Sequence, residues 1–391
     1  MHRAGIISLY LFCSVPLVVQ TTWGQIDPMR RNLLQVGYDQ PLVGRGPYGV
    51  YSFYYYNDPE FRGTNLVLRA VLTPVYLDSE LGFKQLISPY TDFGIGIGGG
   101  AFYDNYYDVN QGNFVQSESF NGYGGGMTLG VYQLLNPGML IPLNAVLRGG
   151  IRYTTYADSD KTDENFTVPP SRFNPYVRAG LRFAGKEPIL FPDLGLELSV
   201  WYERQWRSAY GPYGFAGDRE VEPEVDLYWV YAGLNYAWTN TGHRISFALT
   251  AGGSGNTDHF SAWRLGGVLP LIAEFPLGLP GYFYQELTAE RMLHLQAGYF
   301  FPLSKDNRFQ FSLDAASARV DYLPGYEQPD RWQTGVGCGV VFTPKSQVCR
   351  IMFRYGYGFN AIRDGERGSH SLGLLLQYDF QRQRENRRAK Q

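Results

Sequence analysis

The sequence predicts an all-β protein: a closed antiparallel transmembrane β-barrel of 14 to 16 strands with one long loop folded inward. Three observations carry this. The first is period-two alternation. In "CRIMFRYGYGF" (349–359), Cys349, Ile351, Phe353, Tyr355, Tyr357 and Phe359 form one face, and Arg350, Met352, Arg354, Gly356 and Gly358 the other. The second is the character of the two faces. The apolar one ends in aromatics, as interfacial girdles do, while the other is glycine-rich and sparsely charged, which suits a closed lumen better than the solvent face of a soluble sandwich. The third is composition: 44% of the 391 residues are hydrophobic and 18% charged, with 47 Gly, 31 Tyr and 25 Phe. Mean hydropathy is nonetheless negative, so apolar residues are interleaved with polar ones rather than blocked together.

The N-terminus reads as a signal peptide over 1–24. "MHRAG" is a basic n-region, "IISLYLFCSVPLVV" (6–19) an apolar h-region, and Thr22 and Gly24 small residues before a cleavage at Gln25. Cys13 lies inside this segment, and "YLFC" is a poor lipoprotein box. Residues 25–46 are expected to form a short periplasmic segment, 47–380 the barrel and 381–391 a basic tail. Fourteen strands are expected in the barrel, near 47–57, 64–77, 92–107, 120–135, 140–156, 173–184 and 193–206, then 225–238, 243–252, 289–303, 308–322, 332–343, 348–360 and 370–380. An even count returns both chain ends to the same side. Tight turns such as "TPKSQ" (343–347), "SKDN" (304–307), "TNTG" (239–242) and "NPGM" (136–139) alternate with longer links, as periplasmic turns alternate with outer loops. The links at 78–91 and 185–192 are longer than this rule wants.

The segment "RLGGVLPLIAEFPLGLPGY" (264–282) has the length and apolarity of a membrane helix and only two charges, Arg264 and Glu274. Its three prolines exclude the helix, because each removes a backbone donor and clashes with the preceding turn. An apolar outer loop would be costly in water, so the link 253–288 is expected to fold back into the barrel mouth.

"FSAWRLGG" (260–267), then Gly281-Tyr282, then a strand ending "YFFPL" (299–303), resembles the bacterial surface antigen superfamily, the BamA/TamA-type outer-membrane barrels. The resemblance covers mainly 243–380. It implies a loop in the lumen followed by five strands, and "FQFSLDAA" (309–316) resembles the family's next strand, whose aspartate faces the lumen at Asp314. It makes Arg264, Gly266, Gly267, Gly281 and Tyr282 the loop and plug residues, with Asp314 on the facing wall. Pro280 stands where the family has an arginine, so an arginine–carboxylate lock between loop and wall is expected to be absent, with Arg264 as a substitute partner for Asp314. The stretch before the first strand is too short for a POTRA module, which points to a barrel-only member.

Other motifs have plainer readings. "GIGIGGG" (94–100) matches G-x-G-x-x-G, but a strand-like aromatic run follows where a dinucleotide site needs a helix, so its glycines are small lumen residues. Cys338 and Cys349 both face outward, either as free thiols or as a disulfide. "DSDKTDE" (158–164) reads as a solvated acidic loop rather than a metal site, and no cofactor is expected. Charges of both signs on the lumen face (Arg148, Arg152, Arg178, Arg182, Glu197, Glu203, Arg350, Arg354) should pair across strands or flank water. A net charge of −2 argues against nucleic acid. Phe380 is the terminal aromatic that barrel-assembly machinery reads during insertion, and the other expected partner is outer-membrane lipid. The expected function is non-enzymatic, in the bacterial outer membrane: biogenesis, lipid or protein translocation, or gated conductance. The alternatives are a general diffusion porin and a membrane-embedded lipid hydrolase using His294 or His370.

Overall fold

The computed structural model describes residues 29–47, 49–73, 76–101, 106–185, 191–269 and 277–389. The expected signal segment lies outside them. Sixteen strands form one closed antiparallel barrel. The first eight are β1 (Arg31–Pro41), β2 (Gly49–Asp58), β3 (Leu66–Leu72), β4 (Tyr76–Ser88), β5 (Thr91–Gly100), β6 (Asn113–Leu134), β7 (Leu143–Asp158) and β8 (Arg172–Gly185). The second eight are β9 (Leu194–Trp206), β10 (Glu224–Trp238), β11 (His243–Gly255), β12 (Leu287–Pro302), β13 (Phe309–Tyr322), β14 (Trp332–Phe342), β15 (Cys349–Arg363) and β16 (Glu366–Asp379). Each pairs with its neighbours in sequence. The barrel closes where β1 meets β16, from Leu33↔Asp379 to Pro41↔Ser371, so no sheet edge is left along this seam.

Two strands, β1 and β4, were not among the fourteen expected. β1 corrects the reading of 25–46 as a periplasmic segment, since Arg31–Pro41 is barrel wall. Its inward side chains include Gln35 and Asp39, both buried, and the adjacent Leu33 and Leu34 interrupt the alternation. β4 resolves the overlong link at 78–91 into a strand plus a two-residue turn, because Ser88 pairs with Thr91. Asp78, Glu80 and Lys84 make that strand look like a loop until a lumen is there to receive Glu80. The tail also differs from expectation: Phe380–Arg388 is a helix, α1, capped by the Asp379 carboxylate, which accepts from Arg382 N at 2.9 Å. Among the described residues no helix is long and apolar enough to cross a membrane.

Alternation follows the expected parity. Large apolar side chains such as Leu181, Val200, Val230, Phe247, Leu313 and Phe353 stand exposed around the outside, a continuous belt that water would penalise and lipid accommodates. Cys338 and Cys349 are free; Cys338 stands opposite Tyr355 and Cys349 opposite Tyr378, so the disulfide alternative is excluded. Gly94 and Gly96 face inward on β5 against Glu80, Tyr132 and Thr128, as small lumen residues do. The lumen charges are largely paired. Arg178 donates to Glu203 at 2.5 Å, Arg182 lies 3.4 Å from Glu197, and Arg69 and Arg148 lie 3.5 and 3.6 Å from Glu80. The principal hydrophobic core is therefore inside the barrel, where Tyr132, Trp201 and Trp229 of the wall meet Trp263, Leu265, Leu279 and Tyr282 of the long loop.

Candidate functional site

The link from β11 to β12 enters the lumen. Its first half returns toward the wall as a short strand, Trp263–Leu265, which pairs with the outer end of β12 from Trp263↔Ala289 to Leu265↔Leu287. Gly266 and Gly267 then turn the chain inward with φ of +137° and +102°. Hydrogen bonds Gly266 N to Leu277 O (3.0 Å) and Leu279 N to Gly267 O (2.9 Å) close a neck between the two described arms of the loop; 270–276 lie outside the described residues. Below the neck, Val268 and Leu269 pack with Phe300, Val341, Met352 and Leu375 of the wall.

The glycine-rich inner face of β14–β16 is the seat for this segment. A methyl group on Gly335 would lie 2.1 Å from Pro280 O, on Gly356 2.6 Å from Gly281 N, and on Gly373 2.5 Å from the Leu269 side chain. Gly281 has φ +85°, and its own added methyl would fall 1.9 Å from Gly358 N. Backbone therefore lies against backbone, with Gly281 N donating to Ser371 Oγ at 3.1 Å. Tyr282 is fully buried and donates to Gln333 Oε1 at 2.7 Å. Burial, then the nearby Glu286 charge, pushes its hydroxyl far above the ordinary phenol value, so it stays a donor. The wall answers at His294, whose Nε2 donates to Gly278 O at 2.8 Å, and at Asp39, whose carboxylate accepts from Val268 N at 2.8 Å.

A fully buried ion pair that the sequence does not announce also joins loop to wall. Arg363 of β15 donates from both terminal nitrogens to Glu286 of the loop, at 2.8 and 2.7 Å, with both side chains at most 1% exposed. The Phe283 ring covers the guanidinium at 3.5 Å, and Phe283 N donates to Glu286 at 2.7 Å. Two expectations are corrected here. The arginine–carboxylate lock is present, but its carboxylate is on the loop and its arginine on the wall. Asp314, moreover, does not meet the loop's arginine: it faces the lumen and pairs with Arg354 of the next strand but one, Arg354 Nε donating at 3.0 Å. Arg264 instead donates to His259 Nε2 at 2.8 Å. Strict alternation from Arg350 would point Arg363 outward. A register shift between Gly358 and Ile362 turns it inward, and nothing in the letters marks that bulge.

Above the plug, the other loops form a cap. Arg219 pairs with Asp108 at 2.7 Å and with Glu118. Tyr326 donates to the same Asp108 at 3.1 Å and meets His259 Nδ1 at 3.0 Å. Because Arg264 donates to Nε2, Nδ1 must carry the imidazole proton and donate to the Tyr326 oxygen. Burial, with Arg264 and Arg219 nearby, holds His259 well below the ordinary histidine value, so this neutral relay persists at neutral pH. Arg207 and Asp258 form a second buried pair, in which Asp258 also accepts from Phe260 N, Ser261 N and Glu222 N at 3.0 Å each. Phe120, Phe166, Tyr213 and Phe260 pack between these loops. Among the described residues no group of three or more His, Cys, Asp or Glu is placed to hold a metal.

No family model matches the sequence, and no curated protein sequence matches it. Solved structures do match its fold. CdiB from Acinetobacter baumannii is 12% identical with a TM-score of 0.57, covering 90% of this chain and 60% of that one. BamA from Haemophilus ducreyi lacking POTRA domains 1–3 is 10% identical with a TM-score of 0.54, over 89% of this chain and 70% of that one. CdiB from Escherichia coli is 14% identical with a TM-score of 0.52, over 90% and 63%. The chain thus spans about three fifths of the length of the CdiB structures it matches.

Proposed function

We propose that this chain is a bacterial outer-membrane barrel that carries protein or lipid across or into the membrane, and that its lumen loop is the gate. The observation that carries the reading is the Glu286–Arg363 pair. It joins loop to wall in a site too buried for either charge to be tolerated alone. Such a lock holds the plug in place, yet it yields once both partners regain water. The likeness in fold to CdiB and BamA barrels supports the membrane setting. The filled lumen favours a plugged barrel over a general diffusion porin. Nor do the histidines favour a hydrolase: His294 is committed to Gly278 O, and His370 faces outward against Tyr355 and Tyr357. We read the function as non-enzymatic, with assembly machinery engaged at insertion.

Bilayer recording tests this. The intact protein should be nearly silent, and deletion of 264–282 should produce sustained conductance. A large, steady open state in the intact, heat-modifiable protein would end the reading in favour of the porin.

A further inference from the structure

The turn end of the barrel carries a ring of outward aromatic pairs: Tyr236 with Trp238 at 5.0 Å, Tyr299 with Phe301 at 6.3 Å, and Phe309 with Phe342 at 4.8 Å. Such rings mark the headgroup level of a bilayer. Phe380, the first residue of α1, belongs to this ring, with its centroid 4.8 Å from Tyr378 and 6.2 Å from Tyr54, both outward-facing. At 3.6 residues per turn, Arg384, Arg387 and Arg388 fall on the stripe of α1 that begins with Phe380. The opposite stripe is occupied otherwise: Arg382 donates to Gln347 at 2.9 Å and Asn386 to Ser346 O at 2.7 Å, tying the helix to the turn between β14 and β15. The helix is thus fixed in rotation, with its arginine stripe on the side of the aromatic ring. It carries four arginines against one glutamate and no buried residue, which excludes insertion by an apolar face.

We infer that Arg384, Arg387 and Arg388 form a docking stripe for the phosphate headgroups of anionic phospholipid in the leaflet at the turn end, beside the β1–β16 seam. This rests on the outer-membrane reading above. The chemistry is charge complementarity at fixed depth. Phe380 sets the level, the turn 343–348 sets the rotation, and guanidinium forks suit phosphate oxygens.

The test uses the full chain refolded in detergent micelles with equal phosphatidylglycerol and phosphatidylcholine, and retained lipids counted by native mass spectrometry. The wild type should retain phosphatidylglycerol preferentially. The variant R384Q/R387Q/R388Q should lose that preference by about fivefold per arginine, the ratio equivalent to the ~1 kcal/mol a basic residue contributes near an anionic surface. R384K/R387K/R388K should keep most of it. Equal retention of both lipids by the wild type, or an unchanged preference in the glutamine variant, overturns the inference. Displacement by inorganic phosphate, but not by chloride of equal ionic strength, would make the stripe a free-anion site and overturn it too. Heat-modifiable migration is checked first for every variant, and R384Q alone replaces the triple variant if that does not fold. A wild type without heat-modifiable migration would overturn the membrane reading itself, an outcome distinct from a folded barrel without lipid preference.

Discussion

Replacing Glu286 by Gln should unseat the lumen loop. The substitution keeps size and one acceptor oxygen but leaves the Arg363 charge without its counterion, in a site where both side chains are at most 1% exposed. Removing one partner of such a pair costs about 3–5 kcal/mol. The penalty applies only while the loop is seated, because in the withdrawn state Arg363 regains water. At 1.4 kcal/mol per tenfold, the ratio of withdrawn to seated loop should rise roughly 10²- to 10³-fold or more. A loop seated with only a few kcal/mol to spare would then be withdrawn for a measurable fraction of the time. Single-channel recording reads this as new open bursts, and limited proteolysis reads it as cleavage within 264–282. Replacing both partners, Glu286→Leu with Arg363→Met, should restore the quiet state, since an apolar pair of similar volume removes both desolvation penalties. If Glu286→Gln stays silent and protease-resistant, or the double variant is no quieter than the single one, the pair is not the lock.

Gly281→Ala should act through geometry alone. The φ of +85° costs about 1–2 kcal/mol for a residue with a side chain, and the methyl's approach to Gly358 N adds to it. Loop cleavage should rise without any change in charge, and an unaltered cleavage rate would show that the seat is loose. Asp314→Asn should behave oppositely. It leaves the buried Arg354 unpaired, so heat-induced unfolding on gels should occur at lower temperature by about 3–5 kcal/mol of lost stability. Conductance should stay silent, and opening comparable to Glu286→Gln would return Asp314 to the role the resemblance implied. The cap should weaken in acid. His259 has a folded value below its unfolded one, so the unfolded state binds more protons as pH falls below ~6.5, and stability is lost in that direction. Hydrogen-exchange protection in 256–265, taken relative to the intrinsic exchange rate at each pH, should fall between pH 7.5 and 5.5, and equal protection at both would refute this. Arg264, Arg219, Asp108 and Tyr326 surround the imidazole, and the two arginines make its protonation costly.

What the sequence carried by itself is the part of the fold written in local alternation. β14, β15 and β16 each set an apolar face against glycines and polar residues, and a period of two has only one packing solution when both faces run the length of a strand. The prolines of 264–282 likewise exclude a helix on covalent grounds, and an apolar link of that length finds shelter from water only in the lumen. β1 and β4 were harder to read: the adjacent Leu33 and Leu34 break the period of two in β1, and the inward Asp39 and Glu80 make sense only once Asp39 meets Val268 N and Glu80 meets Arg69 and Arg148.

Closure decided the rest. It brings β1 against β16, and it sets Glu286 beside Arg363, 77 positions away, through a bulge that no periodic pattern encodes. It also explains the inward glycines of β14–β16. Their spacing is a property of strands, but their smallness serves a loop that lies backbone to backbone upon them. Alternation is imposed residue by residue, so it is legible in the chain. Charge pairing and close backbone contact depend on which distant segments share one lumen, and only the closed barrel determines that.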